Sequence, residues 1–170
     1  MISRRTAFLT LATLAVVAVL QNFYYWLHLP DRVATHFNAS GVPDNWSSRD
    51  MATLLMLGLQ LGFPTFMNAL IPMISRLPTS MFNLPHREYW LAPERREHTL
   101  GIIAGKMSLI AIAAATFFIG LNHVTFVANR GNVRLPMLPF AILTIAFLLT
   151  VISIAFSILF RFNKIPSESS

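Results

Sequence analysis

Four stretches of the chain are apolar on every helical face: residues 7–29, 51–75, 100–122 and 135–160, each with at most one Asp, Glu, Lys or Arg. As a helix rising about 1.5 Å per residue, each is long enough to cross a hydrocarbon core about 30 Å thick. Strands of a membrane barrel would alternate apolar and polar positions over roughly ten residues, and these runs do not alternate. The pattern predicts an all-α integral membrane protein. It has one four-helix domain over residues 1–162 and a short polar tail, 163–170, expected to be disordered.

The polar islands between the runs differ in kind. Pro30 ends the first span, because the residue before a proline is pushed out of the helical region. The loop that follows, to about Asp50, carries turn signals at Asn38–Gly41 and Pro43–Asn45, with Val33, Phe37, Val42 and Trp46 spaced to pack on the helix ends. It predicts a compact loop and not a linker. The second island, residues 76–100, is the longest and most charged. Within it Pro93 followed by Glu94 reads as a helix start, so the third span should project about two turns beyond the membrane. The third island is expected as a loop from His123 to Arg134. Tyr24, Tyr25 and Trp26 are placed as an aromatic belt at the outer interface.

Composition sharpens this picture. The chain is 55% hydrophobic and only 12% charged, against the roughly one quarter of charged residues usual in soluble domains. A pI near 10.8 and a net charge of +6 would suit a nucleic-acid binder, but the placement of the cations argues otherwise. Arg4, Arg5, Arg76, Arg87, Arg95, Arg96, Arg161 and Lys164 fall on one side of the predicted spans, and Arg32, Arg49, Arg130 and Arg134 on the other. This bias puts both termini in the cytoplasm, and the charge reflects topology and attraction to anionic headgroups. No nucleic-acid partner is expected; the lipid bilayer is. The apolar run at the N-terminus continues past signal-peptide length without a small-residue cleavage site, so it reads as a retained anchor. The absence of cysteine excludes disulfides and thiolate metal sites.

Candidate chemistry is sparse. His36 with Asp31, Asp44 and Asn38 offers metal-type ligands in one loop, but a zinc site requires three or four ligands at defined spacing. The expectation is no metal, no cofactor and no catalytic residue, hence no enzyme. Glu94, Glu97 and His98 on the projecting helix read as a solvated face. Gly58-x-x-x-Gly62 and Gly101-x-x-x-Gly105 have the spacing that lets helices approach closely, and Pro64 and Pro72 should bend the second span. Lys106 is the lone charge inside a span, about 10 Å from its inner end, where its stem can snorkel. Asn68 falls at a similar depth, and a Lys106–Asn68 hydrogen bond is expected.

One segment carries a resemblance. Leu29, Pro30, His36, Asn38, Gly41, Pro43, Asp44 and Trp46 in "LPDRVATHFNASGVPDNW" resemble the defining loop of a bacterial membrane family, domain of unknown function 1648. Asn83, Pro85, Tyr89, Trp90, Pro93, Arg95 and Arg96 in "NLPHREYWLAPERR" are similar to the inner-loop signature of its short members. The same domain opens SdpI-type immunity proteins, which protect a producing cell from its own peptide toxin and can hold a repressor at the membrane. The resemblance therefore implies a multi-pass protein of the bacterial inner membrane. Its outer loop, with Pro30, His36, Asn38, Gly41, Asp44 and Trp46, would recognise a peptide toxin or other envelope ligand, and its inner loop would meet a cytosolic regulator. The alternative reading is a small transporter or transporter subunit using the bent second span and Lys106.

Overall fold

The computed structural model describes residues 2–166. Four long helices, α1 (Arg4–His28), α2 (Arg49–Ser75), α4 (Pro93–Arg130) and α5 (Met137–Phe162), are each long and apolar enough to cross a membrane. The chain is thus a multi-pass, helical membrane protein. A hairpin of β1 (Arg32–Phe37) and β2 (Pro43–Ser48) joins α1 to α2, and a single helical turn, α3 (Arg87–Trp90), lies between α2 and α4. From residue 167 on, the tail expected to be disordered lies outside the described residues.

Local sequence explains the helix starts. Ser3 and Ser48 cap α1 and α2 by accepting from the backbone N–H of Thr6 and Met51, satisfying donors that a first turn leaves open. Pro93 opens α4 as expected. At 38 residues α4 is about 57 Å long, well beyond the roughly 30 Å of a hydrocarbon core. One end carries the charged residues 94–98; the other supports the hairpin.

Three expectations need correction here. The third island is not a loop from His123, because α4 runs on to Arg130. Its polar residues find partners in the fold: Asn129 is bonded to β1 and the ring of His123 to α1. The three-residue aromatic belt loses its middle member, since Tyr25 turns inward, stacks on Phe126 at 3.8 Å between centroids and meets His123 Nδ1 at 2.6 Å. The glycine pairs do not seat helices within the chain. A Cβ on Gly58, Gly62 or Gly101 would meet nothing within 4 Å, and one on Gly105 would only graze Ile2. Close approach occurs instead at Gly120, where a Cβ would lie 2.8 Å from Leu143 and where Phe117 stacks on Phe147 of α5.

α1, α2 and α4 pack mutually, and α5 lies along α4. Lipid can reach most of α5, whose large side chains are exposed from Leu138 to Phe160. In a bilayer such exposure is the solvated state of an apolar helix. The three-helix core is tied by side-chain amides. Gln60 of α2 donates to Gln21 Oε1 of α1 at 2.9 Å and to the Phe118 carbonyl of α4 at 3.3 Å, and accepts from Asn22. Asn122 of α4 donates to Gln21 and Asn22, and Gln21 Nε2 donates to the Ile119 carbonyl at 3.1 Å.

Candidate functional site

The segment that the sequence marks as a compact loop is an antiparallel hairpin with two irregularities of register. Ala34 faces Trp46, His36 faces Asn45 and Phe37 faces Pro43, leaving Thr35 and Asp44 without opposite numbers. Such bulges re-aim side chains. Here His36 Nδ1 and Asp44 Oδ1 meet in a short hydrogen bond on the exposed face, an ion pair when the imidazole is protonated. Arg32 lies over the Trp46 ring at 5.1 Å on the same hairpin.

A two-stranded hairpin is marginal on its own, and this one is fastened at many points. Asn129 of α4 treats β1 as a neighbouring strand would: its Oδ1 accepts from Ala34 N–H at 2.7 Å and its Nδ2 donates to the Ala34 carbonyl at 3.1 Å. Val33 and Ala34 are buried against the helices. Arg49 donates to the Leu29 carbonyl and pairs with Asp31 at 3.3 Å, while Trp26 Nε1 donates to Asp50. At the tip, Asn38 Oδ1 accepts from the N–H groups of Ser40 and Val42, and Leu135 N–H donates to the Gly41 carbonyl.

Of the candidate loop residues, Asn38 and Gly41 thus build the tip and Pro30 follows the end of α1 in an exposed position, while His36, Asp44 and part of Trp46 face outward. Gly41 has φ +75°, and a Cβ there would lie 3.0 Å from the Leu135 carbonyl oxygen. Gly41→Ala is expected to destabilise by about 1–2 kcal/mol, since the left-handed conformation alone costs that much for an L-residue. Hydrogen exchange at Leu135, whose amide reports the contact, should quicken; unchanged exchange would show that the tip bends without cost.

The inner-loop signature is brought together as a strap on the other end of the bundle. Trp90 is buried beside Ile102 and Phe162, donating from Nε1 to the Phe162 carbonyl at 3.0 Å. Thr99 donates to the Trp90 carbonyl at 2.7 Å. Arg96 reaches the carbonyls of Ser75 and Leu77 and the Thr79 hydroxyl. Arg95 lies over Tyr89 at 3.9 Å and donates to its carbonyl. Pro93 starts α4, whereas Asn83 and Pro85 lie in the connection ahead of α3. Packing accounts for Trp90, Arg95 and Arg96. A docking role would fall to the exposed Arg87 and Glu88 instead.

The expected Lys106–Asn68 bond is not formed. Asn68 Nδ2 donates to the Pro64 carbonyl at 2.9 Å and its Oδ1 accepts from Ser108 at 3.3 Å. Helical geometry explains this, since Ser108, and not Lys106, is on the α4 face turned to α2. The polar residues that do join α1, α2 and α4 near the hairpin end, Gln21, Asn22, Gln60 and Asn122, have no charge to mark them and no local motif. The available signal was three apolar runs, each interrupted by amides. Among the described residues no three His, Asp or Glu side chains come together as a metal site.

Residues 11–61 match the model of a domain of unknown function, DUF1648. The match takes in most of α1, the whole hairpin and the first half of α2 through Leu61, so it contains the recognition-loop candidates and three of the four residues of the amide cluster, Gln21, Asn22 and Gln60. No curated protein and no solved structure matches the chain.

Proposed function

We propose that the protein is a non-enzymatic component of the bacterial inner membrane that recognises an envelope ligand with its hairpin, both termini being cytoplasmic. The observation that carries this reading is the contrast within the hairpin. Asn129, Arg49, Asn38 and Gly41 hold its backbone, yet His36 and Asp44 stay on the outer face. A surface pair of that exposure adds little to folding. A rigid frame presenting exposed polar and aromatic groups is how loops ordinarily serve binding. The domain match and the resemblance to SdpI-type proteins favour a peptide toxin as the ligand, in an immunity or signalling role. The transporter alternative loses its cationic residue, because Lys106 does not line the cavity between α1, α2 and α4.

The test begins with cells lacking the gene, challenged with membrane-active peptides. Sensitisation to at least one is expected, with protection restored by the parent chain and not by His36→Ala or Asp44→Ala at equal abundance. Ser40→Cys, a unique thiol in this chain, should react with an impermeant maleimide from outside. A deletion strain that behaves as its parent under every challenge, or variants that protect fully, would remove the reading.

A further inference from the structure

At the end of the bundle away from the hairpin, α1, α2 and α4 diverge around a cavity of about 760 Å3. That volume lies within the roughly 300–1,000 Å3 of sites that hold drug-sized ligands. Among the described residues its only charged lining residues are Arg4 and Glu97, near the helix ends and opposite in sign. The interior is uncharged. It is not uniformly apolar, however, because α2 presents Gln60, Pro64, Asn68 and Pro72 to it, one residue in every turn.

This row has a consequence for the backbone. Pro64 and Pro72 lack an N–H, so the carbonyls of Gln60 and Asn68 lose the donor that a helix supplies four residues on. Among the described residues no side chain donates to either carbonyl. Beside them, Ser108 is buried and its hydroxyl, already donating to Asn68, retains acceptor capacity. Two carbonyls without their helical donor and the Ser108 hydroxyl oxygen thus stand along one wall of a largely apolar chamber, against two donors, the Thr65 hydroxyl and the second N–H of Asn68 Nδ2. In hydrocarbon such acceptors are satisfied by neighbouring helices, water or a ligand.

We infer that this cavity binds an uncharged amphiphile that carries hydrogen-bond donors, such as a hydroxyl-bearing lipid with one acyl chain, its donors directed to the acceptor row of α2. A charged ligand would be desolvated in the chamber without a counter-charge, and a donor-free chain would leave the acceptors unmet. The site is separate from the hairpin, and neither depends on the other's ligand.

The absence of native cysteine makes the test direct. Ala104→Cys and Ala12→Cys place single thiols on opposite walls, and Gly58→Cys places one on open, lipid-facing surface of α2. The proteins are reconstituted in phosphatidylcholine vesicles and labelled with N-ethylmaleimide in the presence of monolaurin or of methyl laurate, which has the same chain and no donor. At about ten times its dissociation constant monolaurin should slow labelling at both walls about tenfold, as simple occupancy requires. Methyl laurate should protect far less, and Gly58→Cys should respond to neither. Pro64→Ala, which restores a donor for the Gln60 carbonyl, should narrow the gap between the two probes. Equal protection by both probes, equal protection at Gly58→Cys, or wall thiols that monolaurin leaves unprotected would each overturn the proposal. Thiols that never react would reveal a closed crevice and overturn it as well.

Discussion

Trp90→Ala is expected to lower stability by about 3–5 kcal/mol, the usual cost of deleting a buried large aromatic side chain. Trp90 is only 6% exposed and meets Phe162 edge-on at 5.2 Å between centroids. It also supplies the donor for the Phe162 carbonyl, one of those that the last turn of α5 leaves open. The alanine variant would lose packing on Ile102 and Phe162 together with that bond. Trp90→Phe should retain most of the packing and cost about 1–3 kcal/mol, the penalty for a buried acceptor left unmet. Both effects can be read from denaturant midpoints in micelles, followed by the helical circular dichroism signal. Equal midpoints for Trp90→Ala and the parent would show that the strap is not structural. The inner-loop signature would then be open to reinterpretation as a docking surface for a cytosolic regulator.

The spans were legible from hydropathy alone because lipid imposes one rule, that backbone polar groups be satisfied within each apolar segment. All four expected spans lie within observed helices apart from their terminal residues: Leu29 caps α1, and Leu135 and Pro136 precede α5. The hairpin was not legible. β2 opens Pro43-Asp44-Asn45, residues depleted in strands, and the partner that fixes β1 stands 95 positions away at Asn129. A side-chain amide acting as a third strand has no local signature. The same cause hid the end of α4, where polar residues read as loop until their partners are known. The glycine pairs mislead in the opposite direction, having the spacing for helix contact although Gly58, Gly62 and Gly101 face open space and Gly105 meets only Ile2. His36 and Asp44 could be picked out by type and position, but their pairing required the two bulges, which spacing alone does not reveal.

Gln60→Leu is expected to weaken the bundle by about 1–3 kcal/mol, because interhelical hydrogen bonds in membranes average about 0.6 kcal/mol and reach about 1.7. Gln60 sits where the three core helices converge, 3% exposed, and bonds to α1 through Gln21 and Asn22 and to α4 through the Phe118 carbonyl. Leucine fills a similar volume, so the loss should come mainly from hydrogen bonding. The remaining amides would keep part of their satisfaction: Asn22 still donates to the Ala18 carbonyl, and Gln21 Oε1 still accepts from Asn122. This explains why the expected cost is moderate for so buried a residue. The shared network also makes a statement about additivity. Once Gln60 is gone, Asn22→Leu removes a group that has already lost one partner, so the double variant should be less unstable than the sum of the singles. Unfolding from reconstituted bilayers supplies all four corners of the cycle. Strict additivity would mean that the amides act as separate contacts, and the cooperative joint between α1, α2 and α4 would have to be sought in their aliphatic packing.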